Sequence, residues 1–122
     1  MKPSEWGPPL WKKMHIKTYN YPHKPTGKDK RDIVNYFKNI VNEIPCLICQ
    51  KHYNQYLREH PVDRNANSRK QLTRWLIDLH NKINVLNGKR VYSYKEVDNY
   101  YMDSSKPIII LAILSSVFLI LR

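Results

Sequence analysis

Apolar residues recur along this chain at intervals of three and four in successive stretches, the pattern of helices that each bury one face. The first stretch follows Pro8 and Pro9, where Leu10, Trp11, Met14, His15 and Thr18 share a stripe that should end near Tyr19. Residues 21–28 (YPHKPTGK) read as a loop set by proline and glycine. Asp29 is then placed to cap a second helix, whose Ile33, Val34, Phe37, Ile40, Val41 and Ile44 form a very regular apolar face. Pro45 closes that helix and opens a third, which puts Cys46 in its first turn and carries Cys49, Tyr53, Tyr56 and Leu57. Beyond a loop over residues 59–67, Ser68 and Gln71 form a capping pair for a fourth helix. Its stripe is Leu72, Trp75, Leu76, Leu79, Ile83 and Leu86, with Gly88 as the stop. Ser93 and Glu96 begin a short fifth helix toward Tyr101.

No segment alternates apolar and polar residues at a period of two, so the expected fold class is all-α. Four helices with short connections and a short fifth make a four-helix bundle, where a ligand would sit between helices against inward-facing side chains.

Composition adds a boundary. Residues 107–121 (PIIILAILSSVFLIL) carry no charge, and only Ser115 and Ser116 are polar. As a helix this segment would rise about 22 Å against a hydrocarbon core of about 30 Å. A surface helix would show a polar face at every turn, and this segment does not. Residues 1–103 are therefore expected to form the folded domain, and 104–122 a C-terminal apolar helix acting as a membrane anchor between Lys106 and Arg122. Such an anchor would insert tail-first and leave the domain facing the cytoplasm. The N-terminus has no continuous apolar run, so no secretory signal is expected and the mature chain should begin near Met1.

Charge and size narrow the picture less. A net charge of +11 favours anionic partners, but the basic residues are scattered without a run, which argues against nucleic acid. A chain of 122 residues builds a thin core, and two cysteines close at most one internal bridge, so a cofactor or partner subunit is expected.

Three clusters could carry chemistry. Cys46-Leu47-Ile48-Cys49 places two thiols on one helical face, where they can close a short disulfide that opens and re-forms easily. At a helix N-terminus the free N–H groups and the dipole favour the thiolate needed for disulfide exchange. Two buried free cysteines, or half of a zinc site joined by His52 and either His60 or His80, remain alternatives. A thioredoxin-like setting does not, because no strands flank the motif. The second cluster is Trp75 with His80, Asn81 and Asn84, polar groups costly in a helix interior unless paired with a polar ligand edge. The third is an aromatic stripe of Trp11, His15 and Tyr19 behind Trp6-Gly7.

In order and interval, WGPPLWKKMH, IPCLICQKHY and WLIDLHNKINVLNGK resemble the Erv1/ALR family of FAD-linked sulfhydryl oxidases, over roughly residues 5–101. The resemblance implies a thiol oxidase with FAD at the mouth of the bundle, beside the cysteines. Cys49 would face the flavin, and Cys46 would exchange with incoming thiols. Trp11 and His15 would line the flavin pocket, with Trp6 and Gly7 at its edge, Tyr19 a turn further on, and His52 and Tyr53 completing the wall. Trp75, His80, Asn81 and Asn84 would hold the adenine and ribose, Lys89 and Arg69 the pyrophosphate, and Tyr101 would lie near the adenine. No metal is implied. Electrons would pass from thiols through the Cys46–Cys49 disulfide to FAD and then to oxygen, giving hydrogen peroxide.

Many members carry a further shuttle pair of cysteines or a later structural disulfide, and this chain has neither. A separate small dithiol or thioredoxin-like protein is therefore the expected electron donor. Homodimers are common in the family, and one is expected here through the first two helices. The chain is similar to versions from large DNA viruses, which implies work at the cytoplasmic face of a membrane in the host cytoplasm or at the virion membrane. The competing reading is a non-enzymatic, membrane-tethered helical adaptor built on a zinc site, which leaves Trp75, Asn81 and Asn84 without a purpose.

Overall fold

The computed structural model of this chain describes residues 2–102. The C-terminal segment expected to anchor the protein, residues 104–122, lies outside the described residues. Among the described residues no helix is long and apolar enough to cross a membrane.

Five α-helices form and, among the described residues, no strand: α1 Pro3–Tyr19, α2 Gly27–Asn39, α3 Leu47–Glu59, α4 Arg69–Leu86 and α5 Tyr94–Met102. Two 3-10 turns, Ile40–Glu43 and Val62–Asn65, flank α3. The all-helical expectation therefore holds, and the differences are at element ends. The first helix starts at Pro3, ahead of Pro8 and Pro9, which sit inside it. A proline disfavours helical geometry in the residue before it; Gly7, before Pro8, lacks the Cβ that takes part in that clash, whereas Pro9 follows Pro8 itself. Thr26, not Asp29, caps α2: its hydroxyl accepts from the Asp29 amide at 3.1 Å, and the Asp29 carboxylate returns a bond from the Thr26 amide at 2.8 Å. The second helix does not run to Ile44 either. It tightens into the 3-10 turn at Ile40, and Ile44 is extended, as a residue preceding proline prefers.

The capping signals of α4 and α5 act as their sequences predict. Ser68 Oγ accepts from the Gln71 amide at 3.0 Å, and Ser93 with Glu96 makes a reciprocal box at 3.1 and 2.9 Å. Gly88, with φ at +67°, ends α4 in the left-handed region where a side chain is strained, and the Lys89 amide closes back on the Asn84 carbonyl at 2.7 Å.

Trp11, Met14, Phe37, Ile44, Tyr53, Leu72, Leu76 and Leu79 are fully buried, so the core runs between α1, α2, α3 and α4. Leu86 departs from its expected stripe and is 59% exposed. α1 lies along α4, and α5 packs on both. That arrangement brings aromatic residues from opposite ends of the chain together.

Candidate functional site

Cys46 and Cys49 are joined in a disulfide with Cα atoms 5.2 Å apart. Cys46 is not in the first turn of α3 as the sequence suggested but is its N-cap: its backbone is extended, and its sulfur accepts from the Cys49 amide at 3.3 Å. The shift follows from Pro45, which leaves the chain extended before the helix can start. It also strengthens the electrostatics, because an N-cap sulfur lies against the unpaired N–H groups at the positive end of the helix. No acidic side chain occupies that first turn to oppose a thiolate. The two sulfurs are unlike in access. Cys49 is 1% exposed, Cys46 is half-buried, and Leu47 beside it is 77% exposed.

One turn beyond Cys49 a cavity of about 290 Å³ opens between α3 and α4, lined by His52, Gln55, Tyr56 and Glu59 on one side and Leu79, Lys82, Ile83 and Leu86 on the other. Its lining explains the exposed Leu86. His52 Nδ1 is buried without a partner on the protein. Tyr53 lies behind it in the core and donates its hydroxyl to the Phe37 carbonyl at 2.6 Å.

Between α1, α4 and α5 lies an aromatic stack. Trp11 and His80 are parallel, with centroids 3.8 Å apart and planes within 5°. His15 lies 5.2 Å from Tyr101, which in turn stacks on Tyr19 at 5.3 Å and on Tyr100 at 4.4 Å. His15 Nε2 and His80 Nδ1 are 2.8 Å apart. Burial drives the pKa of His15 down to about 3, and burial followed by the neighbouring His15 drives His80 well below its ordinary value. Burial, with a smaller contribution from Tyr100, raises that of the Tyr101 hydroxyl. All three are thus neutral at pH 7.

The stack is full of unmet hydrogen-bonding capacity. His15 Nδ1, His80 Nε2, both polar atoms of the Asn84 amide, and the Tyr100 and Tyr101 hydroxyls are buried with no partner on the protein. Folded domains pair nearly all such groups, because an unmet one costs about 1–3 kcal/mol. Their concentration beside flat aromatic faces fits a ligand with planar rings and polar edges.

Other expected site residues fall elsewhere. Trp75 packs edge-on against Phe37 at 5.0 Å and gives its indole N–H to the His60 carbonyl at 2.7 Å. The Asn81 amide binds both backbone groups of Tyr92, at 2.7 and 3.0 Å. Arg69 donates to the Tyr21 carbonyl, with the His23 ring 2.9 Å from its Nη1. Lys89 is exposed beyond the end of α4, and Trp6 and Gly7 are buried in α1. Sequence reasoning passed over Tyr100 and the cavity walls Gln55 and Lys82; Gln55 and Glu59 continue the His52 face of α3 at helical spacing, a signal that was legible.

The disulfide consumes both thiolates that the zinc reading requires. Among the described residues no group of three or more His, Cys, Asp or Glu side chains is placed to hold a metal.

Comparison with known proteins agrees with the geometry. The sequence profile of the Erv1 / Alr family matches residues 8–102. A probable FAD-linked sulfhydryl oxidase of Acanthamoeba polyphaga mimivirus is 34% identical over 97 residues, covering 79% of this chain and 68% of the relative. An FAD-linked sulfhydryl oxidase of African swine fever virus is 27% identical over 99 residues, covering 81% and 82%. Among solved structures, the FAD binding domain of Erv1 from Saccharomyces cerevisiae superposes with a TM-score of 0.78 at 26% identity, covering 84% of this chain and 96% of that one.

Proposed function

This chain belongs to the Erv1/Alr family, and from that premise we propose that it forms disulfides in partner proteins as an FAD-dependent sulfhydryl oxidase acting through Cys46 and Cys49. The observation that carries the reading is the unequal burial of a disulfide seated on a helix N-terminus.

An incoming thiolate reaches only the half-buried sulfur. It attacks Cys46 Sγ, a new S–S bond forms to the substrate, and the Cys46–Cys49 bond breaks with its electron pair left on Cys49. The substrate's second thiolate then attacks its own sulfur in the mixed disulfide, and Cys46 leaves as a thiolate held at the N-cap. The substrate has lost two electrons, and the cysteine pair has gained them. FAD, when bound, supplies two-electron acceptance from the dithiol and return of those electrons to oxygen as hydrogen peroxide.

The residues that fit the cofactor are those whose polar atoms are unmet: His15, His80, Asn84 and Tyr101, with Trp11 and Tyr19 as flat faces and His52 beside Cys49. Tyr53 backs that wall. Trp75 and Asn81 would support it from behind, and Lys89, exposed at the end of α4, would face the phosphates.

With only two cysteines in the chain, a separate dithiol or thioredoxin-like protein serves as donor in this reading. Pairing of two copies through α1 and α2, and anchoring by residues 104–122 with the domain facing the cytoplasm of an infected host or the virion membrane, are further parts of the proposal. They rest on the family resemblance and the apolar tail. The similarity to viral oxidases supports the setting.

Cys46→Ser is the direct test. The purified variant should keep its yellow flavin and lose turnover of protein dithiols; full activity without Cys46 would overturn the role. Flotation with anionic vesicles by the whole chain, lost on ending it at residue 103, would support the anchor, and equal flotation would remove it.

A further inference from the structure

The two histidines of the stack are not two independent ligands, because each spends one ring nitrogen on the other. His15 Nε2 and His80 Nδ1 lie 2.8 Å apart inside the protein. Burial keeps both rings neutral at pH 7, so each carries one ring hydrogen. One of those hydrogens fills the shared bond. A single hydrogen is then left for two outer nitrogens, His15 Nδ1 and His80 Nε2, both buried without a protein partner.

Two arrangements of equal charge satisfy this count. With the inner hydrogen on His15 Nε2, His15 Nδ1 is a bare acceptor and His80 Nε2 is an N–H donor. With it on His80 Nδ1, donor and acceptor change places. Rotation of the rings cannot make that exchange, since a half-turn of either would put a carbon into the shared bond. The stack also restrains them: His80 lies flat on Trp11 at 3.8 Å, and His15 sits 6.1 Å from Trp11 and 5.2 Å from Tyr101.

We propose that His15 and His80 are a neutral one-proton relay serving the cofactor site, an inference that rests on the oxidase reading. In one concerted shift a proton from solvent enters at one outer nitrogen, the inner proton crosses the shared bond, and the proton on the other outer nitrogen passes to the cofactor's edge. The pair holds two protons before and after, moves no electrons, and never forms a buried imidazolium. The edge it suits is a ring nitrogen that accepts a hydrogen bond when oxidised and carries a hydrogen when reduced, as in a flavin.

The test is ¹⁵N NMR of the FAD-loaded protein labelled in its histidine rings, air-oxidised and then reduced with dithionite. Expected are a scalar coupling across the His15–His80 bond and one protonated outer nitrogen, which changes from one ring to the other on reduction. The same tautomers in both states, two protonated outer nitrogens, or no coupling would each overturn the relay. His15→Gln keeps a hydrogen-bonding group opposite His80 but cannot exchange tautomers. Flavin reduction by a dithiol, measured per bound flavin, should slow about a hundredfold in it; an unchanged rate counts against the relay. Yellow protein with fixed tautomers overturns the relay alone, whereas colourless protein overturns the oxidase reading and the relay with it.

Discussion

Tyr19 donates its hydroxyl to Asp98 Oδ1 at 2.6 Å, which hooks the last turn of α1 to the middle of α5. The same carboxylate receives two bonds from Arg74 on α4, each 2.8 Å. One side chain therefore holds three helices together, one turn from the Tyr101 ring that covers His15.

Replacing that carboxylate tests the latch. Burial pushes the Asp98 pKa up, but the bonds from Arg74 and Tyr19 and the Arg74 charge outweigh it and leave the group below its ordinary value. A carboxyl depressed by folding stabilises above its unfolded pKa, and that contribution is lost as pH falls through the folded one. Asp98→Asn should cost about 2 kcal/mol at neutral pH in urea unfolding, and the gap from the native chain should narrow below about pH 4. A gap independent of pH would argue against the latch.

Acid should weaken the fold through its histidines as well. Unfolded, His15 and His80 titrate near 6.5, whereas the fold holds His15 at about 3 and His80 well below its ordinary value. Below pH 6.5 the unfolded chain takes up protons that the native state refuses, so stability present above that pH drains away as pH falls toward the folded values. The expected loss approaches about 1.4 kcal/mol per pH unit for each histidine. Unfolding free energies measured from about pH 7 to 5 should show that slope, reduced in His80→Gln; an identical slope in the variant contradicts it.

The two thiols should differ in reactivity once reduced. Cys46 is half-buried at an N-cap and Cys49 is buried behind it. Mass spectrometry after brief alkylation should find Cys46 modified at least about ten times faster, since accessible thiolates react and buried thiols are inert. Equal labelling would mean that α3 opens readily.

Asn84 offers a separation of binding from folding. Both of its polar atoms are buried and unmet by the protein, so Asn84→Leu should leave the flavin-free protein equally or more resistant to heat while weakening FAD by about tenfold, near 1.4 kcal/mol. Unweakened binding would place Asn84 outside the cofactor's reach.

Much of the fold is local and was legible in the sequence. The stripes of α2 and α4, the Ser68 and Ser93 caps and the Gly88 stop depend on residues three or four apart, where periodicity and capping act directly. Element ends were less legible, because Thr26 competes with Asp29 for a cap and Pro45 sets the backbone before Cys46. The cysteine pair was visible as a motif, but its unequal burial was not. The sequence by itself determined the helices, the redox pair and the supply of aromatic and amide groups. Only the packing of α1 on α4 and α5 decided that His15 meets His80, 65 residues away, that Asn84 stays unmet, and that Trp75 and Asn81 turn to the protein itself. Periodicity specifies which face of a helix is buried, but which face it meets depends on how all the helices fill one core.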